Sequence, residues 1–157
     1  GIHGYNLEAD DVLNIYKNKY IAEQVSYIVI STDKDINNLV GLNYDIKNNV
    51  ARLVDQEYAD QYFWGSVITG DTADNIKGVP GKGPAFIKKL WESTKDINLF
   101  KSKVICEYIN YFGEEVGIEE FYKNYKCLKI KDSYEGMEFI NPVKSTLVYA
   151  KTLGMAE

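Results

Sequence analysis

Seven carboxylates in three short motifs are the residues of this chain best suited to chemistry. The first motif is Glu8-Ala9-Asp10-Asp11, in which Glu8 and Asp11 sit three apart and share one helix face with Asp10 beside them. The second is Ser31-Thr32-Asp33-Lys34-Asp35, where Asp33 and Asp35 are two apart and point the same way from an extended strand end. The third is Gly70-Asp71-Thr72-Ala73-Asp74-Asn75, with Asp71 and Asp74 again at one-face spacing. Taken singly, each motif reads as a helix cap or a strand-to-helix turn. Taken together they mark element ends, where α/β sheets gather ligands. Convergence there would repel strongly unless divalent cations neutralised it. Oxygen-only ligands with no nearby Cys or His select Mg²⁺ or Mn²⁺ over zinc.

A second constellation follows. Gly78-Val79-Pro80-Gly81-Lys82-Gly83-Pro84 separates two expected helices. Its glycines let main-chain N–H groups approach a ligand, and the next helix N-terminus adds positive charge, which together suit a phosphate. Residues 76–103 carry seven lysines, Lys88 and Lys89 among them, against only Glu92 and Asp96, although the whole chain has a net charge of −5. A cationic cluster in an acidic chain is the footprint of a phosphate-binding face. Arg52 is the sole arginine, so binding that follows the backbone is expected rather than base readout.

The elements that must position these groups read as follows. Residues 7–20 form a helix with acids in its first turn. The β-branched and aromatic run at 25–32 predicts a strand buried on both faces, as in a parallel sheet. Residues 45–49 carry turn chemistry, 49–54 a short strand, and 57–69 a helix. Helix resumes at 84–93, with proline in its first turn, and the stretch 101–126 gives one or two more helices broken near 113–117.

At 157 residues and 45% hydrophobic, the chain suits one soluble globular domain and contains no apolar run long enough to span a membrane. Residues 1–11 lack the basic start and apolar run of a signal peptide. Cys106 and Cys127 make neither a disulfide framework nor a zinc site, and are expected as reduced thiols in packed helices. His3, the sole histidine, reads as structural or solvated. The first residue is Gly rather than Met, and the chain is expected to be part of something longer.

These motifs, in this order, resemble the 5′→3′ exonuclease / flap endonuclease family, in particular its bacteriophage and bacterial branch. The resemblance runs from residue 4 to residue 90, and its longest stretch, 70–84, is similar to the family's helix–three-turn–helix, the motif that grips duplex DNA. It implies a PIN-like α/β fold: a partial parallel sheet in residues 1–69 and a helical DNA-binding subdomain in residues 70–157, with the helix–three-turn–helix at 70–93. It implies that Glu8, Asp10, Asp11, Asp33 and Asp35 line a first metal position and its neighbour, and that Asp71 and Asp74 complete a second. Two or more Mg²⁺ or Mn²⁺ ions would then activate water for phosphodiester hydrolysis. Gly78, Gly81, Lys82, Gly83, Lys88 and Lys89 would contact DNA, with K⁺ on main-chain carbonyls of the glycine hairpin.

The implied partner is duplex DNA beside a 5′ flap, nick or end, in the cytoplasm of a bacterium or a phage-infected cell, with no membrane involved. Two departures stand out. Ala85, Phe86 and Ile87 precede Lys88 where the family usually has a basic residue. The family's N-terminal half, which precedes the first acidic motif, lies outside these residues and would come from the same polypeptide or a partner chain. Two rival readings are a non-catalytic duplex-DNA-binding module and a PIN-like ribonuclease, and the second does not predict the glycine hairpin.

Overall fold

A computed structural model describes residues 7–131. His3 and residues 132–157 of the expected helical tail lie outside the described residues. The chain divides into two compact units, Gly1–Tyr27 with Ile130–Glu157, and Ile28–Lys129.

In the first unit the described residues form helix α1, Ala9–Ala22. Its start is a capping box: the Glu8 backbone N–H donates to the Asp11 carboxylate at 3.2 Å. Asp11 is buried, accepts the Lys131 N–H at 2.7 Å and pairs with the Lys131 ammonium at 3.3 Å.

The second unit begins with a three-stranded sheet in the order β1 (Val29–Ser31), β2 (Gly41–Asp45), β3 (Val50–Val54). A 3₁₀ segment, Lys34–Asn38, links β1 to β2, which run parallel, while β2 and β3 form an antiparallel hairpin. Asn49 takes the left-handed conformation (φ 54°) in the hairpin turn, a position asparagine tolerates well.

The expected strand at 25–32 is corrected in length and burial. Only Val29–Ser31 is strand, and one face of it is open. Pairing sets Val29 beside Asn43, both buried and capped by the 3₁₀ segment, whose Ile36 and Leu39 complete that layer. On the opposite face Ile30, Leu42 and Leu53 are 52%, 41% and 78% exposed. A strand is buried twice only where a layer covers each face. Within this unit one face is covered.

Four helices build the larger core: α2 (Gln56–Thr69), α3 (Pro84–Thr94), α4 (Ile97–Phe112) and α5 (Glu114–Leu128). Asp55 and Asp96 cap α2 and α4 by accepting N–H groups of Tyr58 and Leu99, and Pro84 opens α3. The four-residue spacing of Phe100, Val104 and Tyr108 puts all three on one face of α4, against Val67 and Ile68 of α2 and Phe121 of α5. Burying these side chains supplies about 1.5–3 kcal/mol each before chain entropy is counted. Gly113 breaks the last helical stretch as expected (φ 86°). Cys106 and Cys127 are free, on α4 and α5 as expected, and both are exposed because the inward faces of those helices belong to the aromatics.

Between α2 and α3 the chain makes a second small hairpin, β4 (Gly70–Asp71) with β5 (Ile76–Lys77). Asn124 of α5 holds it by donating to the Lys77 carbonyl at 2.7 Å, and the Tyr108 hydroxyl donates in turn to the Val67 carbonyl.

Candidate metal centre and phosphate-facing turn

Asp71 and Asp74, read from their spacing as sharing one face, stand on the β4–β5 hairpin, Asp71 in the strand and Asp74 in its turn. Gly70, at φ 77°, reverses the chain at the end of α2 and starts the hairpin. Asp71 is 7% exposed, and its Oδ1 accepts the Ala73 N–H at 2.9 Å. Asp35 enters from the 3₁₀ segment, whose first turn is set by Asp33: its Oδ1 accepts the Asp35 N–H at 2.9 Å.

Carboxylate oxygens of Asp35, Asp71 and Asp74 all lie within 4.8 Å of one another. Asp33 acts as the cap of this segment and is not a member of that group. Glu8, Asp10 and Asp11 stand in the first unit at the start of α1, with Asp11 engaged as described.

Lys34 is the counter-ion of the group, and its spacing in the motif gave no sign of that role. Its ammonium donates to Asp71 Oδ2 at 2.5 Å. This hydrogen bond, helped by the Ala73 N–H, holds the Asp71 carboxyl below the usual carboxylate range, and holds Lys34 above the usual lysine range. Tyr62 of α2 is a second residue the sequence did not single out. Burial, with the Asp35 charge adding to it, pushes its phenol up to about 12. Helical periodicity placed Tyr62 on a face with Tyr58 and Phe63 but could not say which strand end that face would meet.

The donor set fits a hard divalent cation. Three carboxylates offer oxygen only, one of them buried, and the single Lys34 ammonium offsets only one of their three negative charges. Mg²⁺ takes oxygens at about 2.1 Å, so opposed ligands stand about 4.2 Å apart and small side-chain movements close the present spacing.

The turn after β5 lines a broad hollow of about 750 Å³ running from Thr69 to Gly83. Glycine is required at position 78 by the protein's own backbone, because a Cβ there would stand 2.2 Å from the Ile68 carbonyl oxygen. Gly81 has φ 78° with open space around it, and Gly83 is the N-cap of α3. Lys88 and Lys89 are exposed on α3. Lys82 is engaged: it pairs with Glu107 at 2.7 Å and sits 4.1 Å over the Phe86 ring. Lys101, from the same basic window, pairs with Asp60 at 2.9 Å.

DNA polymerase I of Rhizobium leguminosarum is 28% identical over 102 residues, which cover 58% of this chain and 10% of that protein. A 5′-3′ exonuclease of Mycoplasmopsis pulmonis is 33% identical over 107 residues, covering 62% of this chain and 35% of that protein. This chain is related to the 5′-3′ exonucleases. No family model matches it. A solved mutant of the T5 5′-exonuclease superposes on 78% of this chain and 52% of its own with a TM-score of 0.50 at 21% identity. The α/β fold of that 5′-exonuclease is therefore the fold seen here. The chain spans only about a third of its exonuclease relative and about a tenth of the polymerase.

Proposed function

We propose that this chain carries the metal-binding and DNA-binding portion of a structure-specific 5′ nuclease, a 5′→3′ exonuclease or flap endonuclease. The observation that carries the reading is the Asp35–Asp71–Asp74 group, built from two element ends just ahead of the glycine turn. Asp35, Asp71 and Asp74 would hold Mg²⁺ or Mn²⁺, and Asp33 would set the direction of Asp35. The resemblance implies that Glu8, Asp10, Asp11, Asp33 and Asp35 line a first metal position and its neighbour and that Asp71 and Asp74 complete a second.

A divalent ion held there supplies Lewis-acid charge to water and to the scissile phosphate. The protein's own residues do the rest. Lys34 keeps Asp71 ionised, so no proton has to leave when the cation arrives. The half-buried Tyr62 phenol stays neutral and adds no charge to the group.

Downstream, Gly78, Gly81, Lys82 and Gly83 would form the phosphate-facing turn of a helix–three-turn–helix, with Lys88 and Lys89 extending it along α3. The turn ends at the positive end of α3, which favours a phosphate group whatever the base sequence. K⁺ on the turn carbonyls, duplex DNA next to a 5′ flap, nick or end, an N-terminal half or partner chain, and a cytoplasmic location all belong to this proposal. Among the described residues no helix is long and apolar enough to cross a membrane.

The test uses the complete enzyme that contains these residues. Asp71→Asn should abolish Mg²⁺-dependent cleavage of a 5′-flap substrate while leaving duplex binding within about threefold of wild type. Cleavage at the wild-type rate would refute the assignment.

A further inference from the structure

Asp35 reaches the carboxylate group from a 3₁₀ segment of five residues, Lys34–Asn38. A helix that short, with poorer hydrogen-bond geometry than an α-helix, does not hold its own backbone firmly. Groups outside the segment must therefore fix the direction in which Asp35 points.

The peptide that joins Lys34 to Asp35 is held at both of its polar atoms. Its N–H donates to Asp33 Oδ1 at 2.9 Å, and its carbonyl accepts from the Asn37 side-chain Nδ2 at 2.6 Å. Asn37 is held in turn by Arg52 of β3, whose Nη1 donates to Asn37 Oδ1 at 2.9 Å. These two bonds settle the orientation of the Asn37 amide, because a flipped side chain would set nitrogen against the guanidinium and oxygen against the carbonyl. Tyr58 of α2 closes the set. Its hydroxyl accepts from the same Nη1 and donates to Asn37 Oδ1 at 3.5 Å, and its ring centre lies 5.3 Å from the guanidinium carbon.

The links span different elements. Arg52 stands beside Asn43 in the β2–β3 register, and Asn43 Nδ2 donates to the Ile36 and Leu39 carbonyls at 2.7 Å each. The hairpin thus grips the segment at several points along its length. Tyr58 belongs to the helix whose far end, at Gly70, leads into Asp71. One turn further along that helix the Tyr62 phenol meets both Asn37 and Asp35. Arg52 therefore ties the segment that carries Asp35 to the helix that leads to Asp71.

We infer that Arg52 is a positioning residue for the candidate metal centre: acting through Asn37 and the Lys34 carbonyl, it holds Asp35 in register with Asp71 and Asp74 for a divalent cation. The inference rests on the metal reading for the cation and on the bonds above for the strut. A guanidinium suits the role better than an ammonium, because its planar donors serve two acceptors while the group lies against a ring.

The test combines Mn²⁺ affinity of this chain, from free Mn²⁺ counted by electron paramagnetic resonance, with amide hydrogen exchange of the labelled chain in EDTA. Arg52→Gln, at an exposed position, should weaken Mn²⁺ binding about tenfold. It should also speed exchange of the Asp35 amide about tenfold while leaving the buried Val104 of α4 unchanged. Arg52→Lys keeps the charge but not the fork, and should stay within about threefold of Arg52→Gln. Asn37→Ala should match Arg52→Gln, and the double variant should bind no worse than either. Undiminished Mn²⁺ affinity in Arg52→Gln, full recovery in Arg52→Lys, additive losses in the double variant, or equal acceleration at Asp35 and Val104 would each overturn the inference. Failure of the metal reading is separate and shows as no Mn²⁺ binding by the wild-type chain. Exchange in EDTA then decides the strut alone, and an Asp35 amide unchanged by Arg52→Gln overturns it.

Discussion

Replacing Lys34 by glutamine should make this protein less stable without divalent ions and more responsive to them. The structure sets the size of the effect. Two unit charges 4.8 Å apart repel by about 3.5 kcal/mol at an effective dielectric near 20 and by about 1 kcal/mol in water. Asp71 is buried but Asp74 is exposed, so the unrelieved repulsion falls toward the lower figure. The Lys34–Asp71 pair itself is discounted, because the lysine side chain is 55% exposed and its charge is well solvated when unpaired. The sum is about 1–2 kcal/mol of lost stability in EDTA, or roughly 2–8 °C in Tm for a chain of this size. Since Lys34 and a divalent ion compete for Asp71, K34Q should also bind Mg²⁺ up to about tenfold more tightly. Thermal denaturation followed by circular dichroism, in EDTA and over a Mg²⁺ series, reads both effects. An unchanged Tm in EDTA together with unchanged Mg²⁺ dependence would refute the role given to Lys34.

Other outcomes follow from the same geometry. Gly78→Ala places a Cβ 2.2 Å from the Ile68 carbonyl and should cost about 3 kcal/mol or more in urea denaturation, whereas Gly83→Ala, with nothing within 4 Å, should cost under about 1 kcal/mol. Phe100→Ala empties a fully buried site where Trp91 packs edge-on and should destabilise by about 3–5 kcal/mol in the same assay. Tyr62 should ionise at about 12, seen by NMR of labelled tyrosine rings. Because its pKa is raised on folding, its contribution to stability is complete below the ordinary tyrosine value and is lost as pH rises from there through about 12. Titration of Tyr62 at the ordinary value would show that α2 does not bury it beside Asp35.

What the sequence could and could not reveal follows from the range of each signal. The helices were legible from local chemistry: Asp55, Pro84, Asp96 and Gly113 are start and stop residues whose effect is exerted within one turn. The Glu8–Asp11 spacing was legible as a helix start for the same reason. The β-branched run before Ser31 announced a strand, but its length and its open face depend on what covers the sheet, which composition does not encode.

Three-residue spacing of Asp71 and Asp74 suits a helix and a four-residue turn alike, and only the reversal at Gly70 distinguishes them. Gly78 was legible as a glycine that lets a ligand approach the backbone, but its close contact with the end of α2 was not. Lys34 and Tyr62 reach the carboxylates through contacts made across the fold, and Lys82 was drawn to Glu107 by a helix that lies well after it in the chain.

The central claim is that Asp35, Asp71 and Asp74 hold a divalent cation, and paramagnetic broadening by Mn²⁺ tests it most directly. Substoichiometric Mn²⁺ added to the labelled chain should erase amide signals around Asp35, Asp71 and Asp74 first, excess Mg²⁺ should restore them, and Asp71→Asn should prevent the effect. Broadening centred elsewhere, or none at all, would contradict the claim.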